Sequence, residues 1–329
     1  MKLAFILDPL ESIKTYKDSS FAMMREAAAR DHDLFVLHQE DLAWRGGRVV
    51  GDARALLLTG DEQAWYRTDE AIETPLAAFD AVLMRKDPPF DMEYIYSTYL
   101  LELAEQEGAR VYNRPGAIRD FNEKLAIARF PEFAPPTIVT RKNVLIRSFL
   151  AAHGDIILKP LDGMGGASVF RLHAQDPNLG VILETLTHFG RRTIMAQRFI
   201  PEIVKGDKRI LLIAGEVVPY SLARIPKPGE TRGNLAVGGT GIAQPLSARD
   251  REIAEALAPR LWKHGLLFVG LDVIGDALTE INVTSPTCMQ EIEQQTGFNS
   301  AAMMIDAVER AATSERPGVQ FSGSARRDP

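Results

Sequence analysis

Ile156-Ile157-Leu158-Lys159-Pro160-Leu161-Asp162-Gly163-Met164-Gly165-Gly166-Ala167-Ser168 is the stretch that decides the fold. An apolar run of strand length ends in a lysine, and a glycine-rich turn follows. Glycines let backbone N–H groups approach a phosphate with no Cβ in the way. No Gly-Lys-Ser/Thr closes the segment, so it is not a Walker A loop. A strand over Ser168–Leu172 follows it rather than a helix, so it is not a dinucleotide-binding fingerprint either. Alone it suits two readings: a cover for phosphates with Lys159 beneath, or a flexible hairpin carrying a surface lysine.

Working outward toward the C-terminus, Phe268–Ile274 reads as a buried strand interrupted by Asp272, and Leu278–Val283 as the next. Glu280 and Asn282 alternate with Leu278, Ile281 and Val283, so they point the same way. A three-residue loop Gly275-Asp276-Ala277 would set Asp272 opposite Glu280 on that face; a two-residue loop would put them on opposite faces. Two carboxylates and an amide oxygen facing one point suit Mg²⁺, which takes oxygen ligands and leaves room for phosphate. The alternative is three solvated residues on an exposed face, which their apolar neighbours disfavour. Arg209 opens a strand (209–213), Arg224 closes one (217–224), and Arg232 sits in the loop from Ile225 to Gly241. That loop is longer than a hairpin needs, and loops of such length in compact domains are functional covers or disordered segments. Arginine forks bind carboxylate or phosphate through paired N–H groups. Singly, each of these arginines also suits a solvated surface.

Toward the N-terminus the pattern differs. Leu3–Leu7, Leu34–Leu37, Ala81–Met84 and Val111-Tyr112 read as short apolar strands. A helix entered at Asp18-Ser19-Ser20 and another over 92–107 alternate with them, and 44–60 reads as a polar hairpin around Gly46-Gly47. This rhythm argues a parallel sheet with helices on its faces. Arg85 and Lys86 follow a strand end, where ligands bind in α/β sheets. Prolines within Phe130–Pro136 mark a boundary. Between it and residue 200, helices over 143–153 and 178–189 alternate with strands over 156–159, 168–172 and 193–198. Helices over 247–263 and 301–312 complete the reading. The expected division is 1–122, 123–200, 201–313 and a polar, disordered tail 314–329.

Composition narrows the function. The 38 Lys and Arg against 44 Asp and Glu leave a net charge of −6 with no like-charge run, so neither nucleic acid nor a membrane surface is an expected partner. One cysteine, Cys288, forbids an internal disulfide and fits a reducing, cytoplasmic compartment. It has no sequence neighbour to activate it, so a buried, inert thiol is expected.

Lys124, Lys159, the glycine loop and the Asp272…Glu280-Ile281-Asn282 set occur in an order that resembles the ATP-grasp superfamily. The strings Lys17–Met23, Met84–Asp91, Leu158–Ser168, Gly229–Leu235 and Thr279–Thr287 are similar to those of the bacterial glutathione synthetase family. The resemblance spans about residues 3–310. It implies an α/β ATP-grasp fold: an N-terminal parallel pre-ATP-grasp domain, a central lid domain and a C-terminal α+β domain. It further implies that Lys124 and Lys159 bind ATP phosphates beneath Gly163, Met164, Gly165 and Gly166. Gln197, Arg198, Phe199 and Ile200 would meet adenine, with Asp207 near the ribose. Asp272, Glu280 and Asn282 would hold Mg²⁺, which Mn²⁺ can replace. Arg209, Arg224 and Arg232 would act on the reacting groups, and Asp18, Ser19, Arg85, Gly239 and Ser285 would bind substrate. The implied reaction joins γ-glutamylcysteine to glycine at the expense of ATP, in a homo-oligomer, often a tetramer. One departure shows: Gly238-Gly239 is followed by Thr240, where some members carry arginine. Two rivals share the nucleotide residues, a ligase for another amino acid or peptide and a non-catalytic ATP-binding regulator. The second is expected to lose part of the acidic set, which is complete here.

Overall fold

The computed structural model describes residues 1–313 apart from 62, 231, 234, 236 and 237, so the tail 314–329 lies outside the described residues. The chain builds three sheets. The first comprises β1 (Lys2–Ile6), β2 (Asp33–Leu37), β3 (Leu42–Arg45), β4 (Arg48–Leu58), β5 (Tyr66–Thr68), β6 (Ile72–Pro75), β7 (Ala81–Met84) and β8 (Val111–Tyr112). Its order is β3-β4-β2-β1-β7-β8, with β5 and β6 both on β4. The middle is parallel and β4 returns antiparallel on β2. Every residue of β7 is buried, as a central parallel strand requires. The expected hairpin forms as β3–β4, but β4 runs on to Leu58 and joins the main sheet.

Helices α1 (Ser19–Ala29) and α2 (Met92–Gln106) follow β1 and β7. Asp18 caps α1 by accepting from Phe21 N at 2.8 Å, and Asp91 caps α2 by accepting from Tyr94 N at 3.0 Å. From β1 the chain proceeds to β2 on one side, and from β7 to β8 on the other. The order therefore reverses between β1 and β7, and the crevice past their C-terminal ends is where α/β sheets bind ligands.

After α3 (Pro115–Asp120), β9 (Thr137–Thr140), β10 (Asp155–Pro160), β11 (Phe170–His173) and β12 (Ile194–Arg198) form an antiparallel sheet in the order β11-β10-β12-β9. Helices α4 (Asn143–His153) and α5 (Leu179–Leu186) cover it through Ile146, Leu150, Leu183 and Leu186. The third sheet, order β15-β14-β13-β16-β17, comprises β13 (Asp207–Ile213), β14 (Glu216–Ile225), β15 (Thr240–Pro245), β16 (Phe268–Ile274) and β17 (Ala277–Asn282). Helix α6 (Ala248–Lys263) buries Ile253, Leu257 and Leu261 in the core of this sheet. Helices α7 (Met289–Thr296) and α8 (Ser300–Thr313) join the core that contains α1 and β1. Phe121, Ile127, Phe130 and Phe133 are buried in the third sheet's core, so the proline-marked segment is packed rather than an open linker.

Candidate active site

A cavity of about 420 Å³ opens where the three sheets meet. Its floor is the β16–β17 hairpin. Ile274 pairs with Ala277, so the turn has only the two residues Gly275 and Asp276. That loop alone would place Asp272 and Glu280 on opposite faces. The register slips between Asp272 and Val273, leaving Thr279 as an extra residue and bringing Asp272 opposite Glu280. Thr279 Oγ1 donates to the Asp272 carbonyl at 3.1 Å and secures the bulge. The sequence reading offered two loop lengths; the bulge gives the shorter loop and the shared face together. Asp272, Glu280 and Asn282 all line the cavity.

The charges there are arranged in opposed sets. Asp272 is 3% exposed and accepts from Arg209 Nε at 2.6 Å and Nη2 at 3.1 Å. Arg224 Nη2 lies 2.9 Å from Asp272 Oδ2, the oxygen that also accepts from Arg209 Nη2. Burial opposes ionisation of Asp272, but the two guanidiniums outweigh it and hold the carboxyl below the usual carboxylate range. Asp207 receives Arg224 Nη2 at 2.6 Å, yet its burial prevails and pushes its pKa up to about 6. Asp207 Oδ1 is buried and has no hydrogen-bond partner. Glu280 faces Lys159 Nζ at 3.5 Å and Lys124 Nζ at 3.9 Å. Asn282 Nδ2 donates to Gly270 O at 3.1 Å, which leaves its Oδ1 as an acceptor. Four cations thus surround three carboxylates, and the excess positive charge suits an anionic ligand.

The second sheet supplies the opposite wall. Lys159 ends β10 and donates to Gln197 Oε1 at 3.2 Å, while Lys124 donates to Gly163 O at 2.6 Å. Gly163, Met164, Gly165 and Gly166 line the cavity, as do Arg198, Phe199 and Ile200 at the end of β12. From the third sheet, Arg232 is held by Glu230, with Nη2 to Oε2 at 2.6 Å, and reaches Gly166 O at 3.4 Å. The glycines of this loop do more than permit motion. A Cβ on Gly233 would stand 2.3 Å from the Arg224 carbonyl, and one on Gly239 would stand 2.5 Å from the Gly233 carbonyl.

The crevice beyond β1 and β7 completes the cavity. Asp18 and Ser285 line it, whereas Ser19, Arg85 and Gly239 do not. Ser19 is fully buried and its Oγ accepts from Met289 N at 3.2 Å. Arg85 is 6% exposed and donates to Ser20 Oγ at 3.0 Å and to Pro286 O at 2.9 Å. Cys288 is buried as expected, burial pushes its thiol pKa up, and it lines the cavity. Sequence reasoning missed Glu123, which accepts from Val283 N at 2.9 Å, Thr284 N at 3.0 Å and Thr284 Oγ1 at 2.8 Å, and so fixes the exit of β17. It also missed Glu291, carried by the unforeseen α7.

Among the described residues no three His, Cys, Asp or Glu side chains are grouped so as to hold a metal ion. Asp272 was expected beside Glu280 and Asn282 as a ligand, but its carboxylate is taken by Arg209 and Arg224. Glu280 and the Asn282 amide oxygen remain as hard oxygen donors. Among the described residues no helix is long and apolar enough to cross a membrane.

Residues 1–119 match the family model described as the prokaryotic glutathione synthetase N-terminal domain, and residues 123–297 match that of its ATP-grasp domain. A glutathione synthetase of Nitrosomonas europaea is 68% identical over 94% of this chain and 98% of its own length. One from Neisseria meningitidis serogroup B is 60% identical over 94% and 98%. Among solved structures, a D-cycloserine synthetase aligns with a TM-score of 0.67 at 15% identity, over 94% of this chain and 100% of its own. An ATP-grasp ligase, PsnB, complexed with a minimal precursor, Mg and ADP, aligns at 0.60 and 18% identity over 95% and 98%. At those identities the structures speak for the fold alone. The chain belongs to the prokaryotic glutathione synthetase family and is an ATP-dependent ligase of ATP-grasp fold.

Proposed function

We propose that this chain joins γ-L-glutamyl-L-cysteine to glycine through an acyl phosphate, giving glutathione, ADP and phosphate. The observation that carries the reading is the convergence of Lys124, Lys159, Arg209 and Arg224 on one cavity beside Glu280 and Asn282. A carboxylate does not condense with an amine at neutral pH, because oxide is a very poor leaving group. Transfer of the ATP γ-phosphoryl group to the cysteinyl carboxylate replaces oxide by phosphate. The glycine amine then attacks the acyl carbon and phosphate departs. Such transfer asks the protein chiefly for positioning and charge neutralisation. No serine or cysteine nucleophile is required.

In this reading Lys124 and Lys159 exchange Glu280 for phosphate oxygens, under the backbone of Gly163–Gly166. Gln197–Ile200 meet the adenine, and the partnerless Asp207 Oδ1 suits a ribose hydroxyl donor. Arg209, Arg224 and Arg232 face the acyl phosphate and the substrate carboxylates. Asp18 and Ser285 bind the dipeptide. Ser19, Arg85 and Gly239 act through what they hold in place. Glu280 and Asn282 would hold Mg²⁺, or Mn²⁺ in its place, and the ion supplies charge neutralisation on the phosphates. Asp272 would join them only by releasing an arginine. Cytoplasmic location, a homo-oligomer up to a tetramer, and the division at residues 122, 200 and 313 belong to the same proposal.

The test mixes the purified chain with γ-glutamylcysteine, glycine, ATP and Mg²⁺ and follows glutathione, ADP and phosphate together. Equal amounts of the three products are expected. Turnover with another amino acid or peptide, and none with this pair, would assign the chain to a different ligation.

A further inference from the structure

The second sheet has two unlike faces. Ile156, Leu158, Leu172 and Ala196 are buried in the core that α4 and α5 cover, so the residues between them point the other way. On that other side Ile157, Lys159 and Gln197 line the cavity. Arg171 pairs with Ile157 across β10 and β11, and Asp155 stands two residues before Ile157, so both share its face. Phe199 N donates to Asp155 O at 3.0 Å, which extends the β10–β12 pairing one residue beyond Ile156 and Arg198. Phe199 therefore joins the same face, two residues after Gln197. It lines the cavity, whereas Asp155 and Arg171 do not. Arg171 lies over the Phe199 ring, its guanidinium carbon 3.7 Å from the ring centroid. Asp155 holds it there: Arg171 Nε is 3.1 and 3.0 Å from the two carboxylate oxygens, and Nη2 also donates to Oδ2. Both side chains remain partly exposed. A solvated ion pair of this kind adds little to stability, so its consequence lies in where it puts the ring.

We propose that Arg171, oriented by Asp155, is a positioning residue for the nucleotide base: it fixes the Phe199 ring as a wall of the adenine pocket. The inference rests on the placement of adenine at Gln197–Ile200 proposed above, and adds to it two residues that act without touching the ligand. An aromatic side chain just past the end of a strand has rotamers to lose when a ligand packs on it. A ring already clamped by a cation has lost that freedom before the nucleotide arrives, so less is lost on binding. A guanidinium suits this task better than an ammonium. It is planar, so it stacks on an aromatic face while its edge is gripped by a carboxylate.

The experiment measures calorimetric binding of ADP with Mg²⁺ to the whole chain, to Arg171→Met, to Phe199→Leu and to the double variant. Inorganic tripolyphosphate serves as a second probe that lacks the base. Arg171→Met should weaken ADP binding about two- to fivefold, the range of one cation–π contact. Tripolyphosphate binding and the melting temperature should stay close to those of the wild type. In the Phe199→Leu background the same substitution should weaken ADP no further, because the two residues act as one unit. Wild-type ADP affinity in Arg171→Met overturns the role. So does an equal loss for tripolyphosphate, which would make Arg171 a charge felt by the phosphates, and so does an equal loss in the Phe199→Leu background. In each of these cases a weaker ADP affinity of Phe199→Leu alone keeps the adenine placement standing. Unchanged ADP affinity in Phe199→Leu would instead remove that placement, and the positioning role with it.

Discussion

Lys124, Lys159, Arg209 and Arg224 each already face a carboxylate in the cavity, so an anionic ligand must compete for them. Lys159 shows this best. The residue is 8% exposed, its ammonium is shared between Gln197 and Glu280, and it sits near the end of a strand beside the glycine loop. Lys159→Met keeps the volume and deletes the charge, so the chain should stay folded while ligation falls roughly a hundredfold or more. Near-normal turnover by the folded variant would remove Lys159 from the phosphate site. Glu280→Gln should act differently. It frees two lysines from a counter-charge but weakens the oxygen donor set, so the Mg²⁺ concentration needed for half-maximal rate should rise several-fold. Titrating Mg²⁺ at fixed ATP checks this, and an unchanged requirement would place the ion elsewhere. At this scale the sequence was legible wherever polar residues interrupt an apolar strand, as at Lys159, Asp272 and Glu280. The pairing of Asp272 with two arginines was not legible, because their approach depends on the pairing of β13 with both β14 and β16. Glu123 and Glu291 lie at ordinary-looking positions, and nothing local sets them apart.

Elements show where local pattern suffices. Helix α4 occupies the expected residues 143–153, and β16 occupies the expected 268–274. Strands β5 and β6 are short, and they and the six-residue β15 carry only exposed or half-buried residues, so no apolar run marks them. Helix α7 escaped because Cys288 enters it at φ 91° with no side-chain cap, so its start carries no usual signal. The length of the loop between β14 and β15 marks it out in the sequence, but length does not say which of its glycines the packing needs. Gly233 is needed for close approach: an added Cβ would collide with backbone at Arg224, not with a flexible side chain. Gly233→Ala should therefore push Arg232 away from the glycine loop while leaving ATP binding nearly intact. Water that reaches an acyl phosphate before glycine hydrolyses it. The variant should make glutathione more slowly and release more than one phosphate per glutathione, with Arg232→Ala moving the same way less severely. Measuring both products in one reaction decides the matter; one-to-one coupling at a near-normal rate would show this loop to be a mere connection.

At the scale of the whole molecule, the N-terminal sheet is tied beside the cavity to the exit of β17. Arg85 is the tie at its centre. Its guanidinium leaves the end of β7, meets Ser20 on α1, and crosses to the carbonyls of Thr284 and Pro286 at 3.5 and 2.9 Å. It also lies over the Phe268 ring at 5.2 Å. Burial lowers its pKa, and Asp18 and Asp87 offset that only at a distance. A buried cation held mainly by carbonyls costs desolvation, so its value lies in the geometry it imposes on 284–286, where Ser285 faces the cavity and donates to Asp87. Arg85→Met would leave the Pro286 carbonyl and Ser20 hydroxyl without this donor. Stability should fall by about 2 kcal/mol, the loss of one or two hydrogen bonds to a charged group less the relief of its burial. KM for γ-glutamylcysteine should rise while nucleotide affinity holds, since Lys159 and the β12 end belong to the second sheet and Lys124 to the segment that leads into it. Arg85→Lys tests the alternative that Arg85 touches the dipeptide itself. A lysine keeps the charge but cannot span Ser20 and Pro286 as a fork. If Arg85 acts by holding, the lysine variant should melt early and bind substrate poorly, much like methionine. If lysine restores substrate affinity without restoring the melting temperature, the guanidinium contacts the substrate and the tie is incidental.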